Sequence, residues 1–384
     1  MKQALVVGCG LSGAVIAREL AEKGYKVLVL ERRNHIGGNM YDHVDDYGIL
    51  VHDYGPHTFH TKKKELFEYM CKYSEWDEYK LTCGAEINGI CTPTPFNYQT
   101  IDDYYSKEDA EKLKHEIEKE FPRRDTATVV EVLECKNPIV HDYAQFLFEN
   151  DYSLYSAKQW GCSPSEIDPS ILKRVPLRFS YDVGYFDDEF QVMPRKSFTS
   201  FFEKLLDHPN ICIELNVDAL ERIAIKDDLL LYEEAVVDYP VVYSGPLDEL
   251  FGFRFGRLPY RSLRFQWVHE DIESKQDMPV VAYPQETDFV RIIEYKKLPV
   301  QDVKGTTYEI EYSLPYKPGE NHDPYYPLLT EESQLLYREY RRLTETVQNL
   351  YVCGRLGNFK YYNMDQALEA ALEVTCDILK RKDT

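Results

Sequence analysis

At 384 residues and 43% hydrophobic, the chain is long enough to bury a large core and to divide into two or three domains. A net charge of −21 opposes non-specific nucleic-acid binding, which needs Lys and Arg in clustered excess, and no apolar run approaches the roughly 20 residues that span a bilayer. Nine cysteines form no C-x-x-C pair and the start does not read as a signal peptide, so the expectation is a cytoplasmic protein with reduced thiols and no structural zinc.

In chain order, Ala4 to Val7 is a short apolar run, followed by a glycine turn, a helix with apolar residues at helical spacing, and a second run from Val27 to Leu30; together they predict a βαβ unit. A charged helical stretch covers Lys62 to Tyr73, and Gly/Pro/Thr punctuation from Gly84 to Asn97 predicts hairpin turns. Ile101 to Trp160 reads as mainly helical, broken near Pro122 and Pro138. Alternating runs at Leu177–Val192 and Leu258–Tyr312 predict antiparallel strands sharing one sheet. The segments around Phe202 and Val241 carry further helix and strand signals in α/β style. A helix at Glu331–Leu343, a strand ending at Gly354 and an amphipathic helix at Met364–Lys380 return to the first sheet.

The fold class is thus α/β, with a helical domain and an antiparallel β-sheet domain inserted into a Rossmann-like dinucleotide-binding domain. The expected boundaries are 1–75, 196–256 and 335–384 for the dinucleotide-binding domain, 98–172 for the helical domain, and 76–97, 173–195 and 257–334 for the sheet domain.

Gly8, Gly10 and Gly13 stand in a G-x-G-x-x-G frame between strand and helix. The first allows the turn, the second lets backbone approach a pyrophosphate, and the third packs helix on strand, while the helix N-terminus offers its partial positive charge to the phosphates. Glu31 closes the second strand, where a carboxylate accepts hydrogen bonds from a ribose. His57 and His60 on a Gly/Pro-bearing loop lack the further ligands of a metal site, so no metal is expected. There is no Ser-His-Asp order, no nucleophile elbow and no defensible carboxylate pair. An aromatic share of 14%, with 31 Tyr, points to aromatic-lined clefts.

The segments "VGCGLSGAVIARELAEKGYKVLVLERRNHIGGNMYD", "YGPHTFHT", "PFN", "LPYRSLRF", "YYP" and "GRLGNFKYYNMD", in this order, resemble the UDP-galactopyranose mutase family. The resemblance implies an isomerase that interconverts UDP-galactopyranose and UDP-galactofuranose, with FAD active when reduced and its N5 as nucleophile at the anomeric carbon. It implies FAD contacts from Ser12, Arg32, Gly38, Asn39, His57, Gly354, Arg355, Met364 and Asp365, beside the glycines and Glu31. Arg174 and Arg291 would hold the diphosphate of the UDP-sugar substrate, and His60 would lie beside the flavin ring. Tyr155 and Trp160 resemble a uridine-binding patch; Tyr185, Tyr325 and Tyr361 resemble tyrosines that contact the phosphates; Asn88, Phe96 and Asn363 complete the implied substrate set. A homodimer, and galactofuranose for a bacterial cell-surface polysaccharide, are also implied.

The chain departs from the family pattern at Asn363, where some members carry an acid, and in "FQVMPRKSFT", where Val192 and Ser197 replace glycines. Three alternatives stay open: a mutase acting on another nucleotide hexopyranose, a flavin oxidoreductase of the amine-oxidase type, and a flavin-binding protein without catalysis.

Overall fold

The computed structural model describes residues 2–161, 175–317 and 322–381. Strand β1 (Lys2–Val7), helix α1 (Leu11–Glu22) and strand β2 (Tyr25–Glu31) form the expected βαβ unit. Both strands are apolar along most of their length because both faces of the sheet are covered. Three later segments complete a five-stranded parallel sheet, in the order Ile211–Leu215, β2, β1, Val241–Tyr243, Leu350–Val352. The final helix, Met364–Arg381, shares one core with α1, in which Ile16, Leu20, Leu368 and Ile378 are inaccessible to solvent. No helix among the described residues is long and apolar enough to cross a membrane.

A seven-stranded sheet forms the second layer, in the order Tyr326–Pro327, Tyr260–Glu270, Thr306–Pro315, Arg291–Glu294, Val280–Ala282, Cys83–Ile87, Ile90–Thr94. Its pairs are antiparallel except Val280–Ala282 with Cys83–Ile87, which is parallel. The expectation that Leu177–Val192 shares this sheet is corrected. Leu177–Arg178 pairs with Thr126–Ala127, and Phe190–Pro194 lies between Phe59–Thr61 and Trp76–Glu78 in a separate three-stranded sheet. The physical reason is burial: Val192 and Met193 drop into the core of the parallel-sheet layer beside Phe59 and Phe198.

The helical layer runs through Tyr98–Tyr104, Lys107–Glu120, Val129–Leu133, Pro138–Leu147 and Ser153–Trp160. Four of its starts carry a side-chain cap, from Asn97, Ser106, Thr128 and Asn137, which satisfy backbone N–H groups that a helix leaves unbonded. A π-helical turn, Phe148–Tyr152, precedes the last of them. Interior residues Leu113, Val132, Tyr143 and Leu147 make a second core.

α1 differs from the four capped helices. Gly10 precedes it in extended conformation and gives no side-chain cap, so its first N–H groups remain open. Gly8 adopts φ +97°, and a Cβ on Gly13 would stand 2.0 Å from the Gly8 carbonyl oxygen, so only glycine permits this strand-to-helix contact. Gly13→Ala is expected to lower stability by about 1–3 kcal/mol. Differential scanning calorimetry reads this as a lower Tm, and an unchanged Tm would contradict the close packing.

Candidate active site

One cleft opens over the N-terminus of α1. It is lined by Gly8, Gly10, Ser12 and Gly13 on one side, by Glu31, Arg32, Gly38 and Asn39 along the end of β2, and by His57, Gly354, Arg355 and Met364 opposite. These are all of the residues assigned to the cofactor in the sequence except Asp365, which lies in the first turn of the final helix and outside the cleft lining. Glu31 is buried, and its two oxygens accept from the Cys9 N–H at 2.7 Å and the Arg33 N–H at 2.9 Å. That leaves the carboxylate clamped at the strand end with a lone pair free on each oxygen. The Gly37–Gly38 loop closes onto the first glycine turn: Gly37 N–H donates to the Cys9 carbonyl at 3.0 Å, and a Cβ on Gly38 would sit 2.8 Å from the Gly10 Cα. Arg33, not singled out in the sequence, donates to Asn39 at 2.9 Å and to Asp323 at 2.6 Å, and its guanidinium covers the Tyr54 ring.

The second centre is built on the seven-stranded sheet. Arg291 lies directly across from Glu311 in register. Its Nε and one terminal nitrogen donate to the same Glu311 oxygen, at 2.9 and 2.7 Å. Glu311 is wholly buried, and so is Glu309 on the same face of the strand. Burial first, and then the Glu311 charge, hold the Glu309 carboxyl well above the usual carboxylate range. Burial and the Glu311 charge thus disfavour a second negative charge beside Arg291.

Tyr155, on Ser153–Trp160, lies in the field of Arg291, Glu311, Tyr185 and Tyr361. Tyr326 stacks on Tyr361 with centroids 5.1 Å apart, and the Arg355 guanidinium stands 5.3 and 5.6 Å from these two rings. The two centres meet at His57. Its ring is pushed down to about 4 by burial and then by the Arg355 and Arg291 charges, which outweigh the opposing hydrogen bond to Gly55. The Nδ1–H donates to the Gly55 carbonyl at 2.8 Å, so Nε2 carries a lone pair.

Of the other sequence-assigned residues, Tyr325 and Asn363 line the glycine cleft, whereas His60, Phe96 and Asn88 do not. His60 sits in the three-stranded sheet, bonded to Asp188 at 2.6 Å and stacked on Phe186, and does not line the cleft. Phe96 is a core residue packed edge-on against Tyr152. Asn88 occupies an exposed hairpin turn at φ +54° and holds Gln285. Tyr325 faces the glycine cleft beside Tyr54, whereas its neighbour Tyr326, which sequence reasoning passed over, faces Arg291 and Tyr361. Asn363 is at the cleft rim, where its N–H donates to Gln366 at 3.0 Å. Arg174 and the side chain of Trp160 lie outside the described residues.

An uncapped helix N-terminus, a doubled glycine loop and a strand-end carboxylate define a Rossmann-type dinucleotide-binding protein, here joined to a second centre of arginines and tyrosines. Residues 6–73 match the NAD(P)-binding Rossmann-like domain model and residues 150–361 the UDP-galactopyranose mutase model. The probable UDP-galactopyranose mutase of Klebsiella pneumoniae is 36% identical over 98% of this chain and 95% of its own length. The dTDP-fucopyranose mutase of Escherichia coli is 33% identical over 97% of both. A crystal structure of a reduced UDP-galactopyranose mutase shares the fold, with a TM-score of 0.69 over 99% of this chain and 96% of that one at 16% identity. The chain belongs to the UDP-galactopyranose mutase family.

His57 gives a pH signature. Its folded value lies below the ordinary 6.5, so the unfolded chain takes up the proton first as pH falls from 6.5 towards 4, and stability drops across that window. His57→Gln is expected to recover at most about 3 kcal/mol of this loss. Thermal melts at pH 7 and pH 4.5 test it: the variant's decline should be the shallower, and parallel declines would contradict the assignment.

Proposed function

We propose that the protein interconverts UDP-galactopyranose and UDP-galactofuranose, with FAD held in the glycine cleft. The observation that carries this reading is the junction at His57, which lines the dinucleotide cleft and lies in the fields of both Arg291 and Arg355. The cleft suits FAD on three counts: the open N–H groups of α1, the Glu31 carboxylate, and the Gly10–Gly38 approach that a Cβ would fill. When bound, reduced FAD supplies through its N5 the nucleophile for the anomeric carbon. The positive end of the final helix, which opens at Met364, favours an anionic reduced ring.

The chain's own residues bind and orient. Arg291, held by Glu311, offers its remaining donors to the diphosphate before and after the sugar leaves it, and Arg174 is assigned as its partner. Tyr155 and Trp160 take the uracil, a neutral plane recognised by stacking. Tyr185, Tyr326 and Tyr361 donate to the substrate phosphates without adding charge, while Tyr325 stands on the glycine-cleft side. His57, uncharged, leaves the cationic pull on the phosphates to the two arginines. The same reading carries a homodimeric cytoplasmic enzyme supplying galactofuranose to a surface polysaccharide.

The E. coli relative favours a second reading, a mutase acting on another nucleotide hexopyranose, and Asn363 at the cleft rim leaves the sugar open. Anaerobic incubation with UDP-galactofuranose, with and without dithionite, separates these readings when followed by chromatography alongside dTDP-fucopyranose. UDP-galactopyranose should form only after reduction, and Arg291→Ala should lower kcat/KM roughly 100-fold or more with the flavin spectrum intact. Turnover of dTDP-fucopyranose alone would give the second reading, and full activity of the alanine variant would overturn the diphosphate assignment.

A further inference from the structure

Lys158 is three residues beyond Tyr155, in the last turn of Ser153–Trp160. Lys158 is half-buried, and its ammonium is turned onto the protein. It donates to the carbonyl oxygens of Tyr283, Glu286 (2.7 Å) and Phe289 (2.8 Å), so all three of its hydrogens are used on one turn. That turn joins Val280–Ala282 to Arg291–Glu294, and Phe289 is two residues before Arg291. The turn is closed by Tyr283 N–H donating to the Val290 carbonyl at 2.9 Å, and is tied to the Glu311 strand by Val290 N–H donating to the Glu311 carbonyl at 2.8 Å.

The same helix is gripped at its C-terminal carbonyls. Arg261 Nε donates to the Gln159 carbonyl at 3.1 Å, and the Ser313 hydroxyl donates to it at 2.8 Å. Ser313 follows Glu311 by two residues on one strand. The helix bearing Tyr155 is therefore joined to both strands of the Arg291–Glu311 pair. Burial pushes Lys158 down to about 8, opposed by the Glu286 and Asp151 charges, so the cation is kept at a cost that surface packing would not require.

We propose that Lys158 is a positioning residue that sets the separation between the nucleoside end and the diphosphate end of the substrate site. The inference rests on the nucleotide-sugar reading above. A ligand that spans two subsites binds tightly only when their spacing is held, because the second contact is then made at high effective concentration. Loss of the joint leaves Tyr155 and Arg291 each in place and loosens the distance between them.

The test uses full-length, flavin-loaded protein with UDP as the probe. Lys158→Met keeps the apolar stem and removes the donors; it should raise both the Kd for UDP and the KM for UDP-galactofuranose about tenfold, with kcat within about threefold and the flavin spectrum unchanged. Lys158→Arg, which restores a cationic donor, should recover most of the affinity. Ser313→Ala, which removes the hydroxyl that donates to the Gln159 carbonyl and accepts from Arg261, should raise the UDP Kd in the same direction and reads the joint from the Glu311 strand if the methionine variant fails to fold. Unchanged UDP affinity in both Lys158→Met and Ser313→Ala, or a fall in kcat at constant KM, would overturn the proposal. A wild type that turns over a sugar nucleotide but does not bind UDP would overturn the uridine reading and this inference with it.

Discussion

The Arg291–Glu311 pair is the constraint on which the rest of the site depends. An arginine proposed to meet a diphosphate must be held in place before the ligand arrives, and an unpaired buried guanidinium costs several kcal/mol. Cross-strand register solves this, because the two side chains stand opposite each other and Glu311 spends a single oxygen on two donors. Glu309, buried on the same face, is pushed well above the usual carboxylate range by burial and then by the Glu311 charge, which disfavours a second negative charge beside the arginine. The pair thus offers donors with directions already chosen, the condition under which electrostatic stabilisation needs little reorganisation.

The parallel-sheet layer serves the same centre from the other side. Its glycine turns leave Gly8, Gly10 and Gly13 without side chains at the N-terminus of α1, and α1 and the final helix share the core that fixes the cleft walls. Both arginines then act on one uncharged histidine at the shared edge, so the two layers are coupled through a field rather than through a long chain of contacts. Arg355, stacked near Tyr326 and Tyr361, belongs to the cleft by its backbone position and to the polar centre by its guanidinium.

Much of this was legible in the residues because the relevant signals are local. Strands covered on both faces must be continuously apolar, and the Gly8, Gly10, Gly13 and Glu31 spacing is set within one βαβ unit. What sequence could not specify was pairing at a distance. Phe190–Pro194 is too short to declare its neighbours, and only the burial of Val192 and Met193 selects the smaller sheet. Successive residues at a sheet edge point to opposite faces, and Tyr325 stands just before the strand Tyr326–Pro327, so the choice between Tyr325 and Tyr326 turns on a register that the Tyr-Tyr-Pro motif does not contain. Glu309 and Glu311 alternate with tyrosine and isoleucine as a half-exposed strand would, and nothing local marks their face as the buried one. Asn88 carries polar functionality in the right region, but its hairpin turn spends it on Gln285.

The central claim is that the dinucleotide cleft and the arginine centre open into one chamber. Titrating UDP into flavin-loaded protein while recording the visible flavin spectrum tests this most directly. The account predicts a saturable spectral shift that Arg291→Ala abolishes. UDP binding, measured by calorimetry, with no change in the flavin spectrum would contradict it.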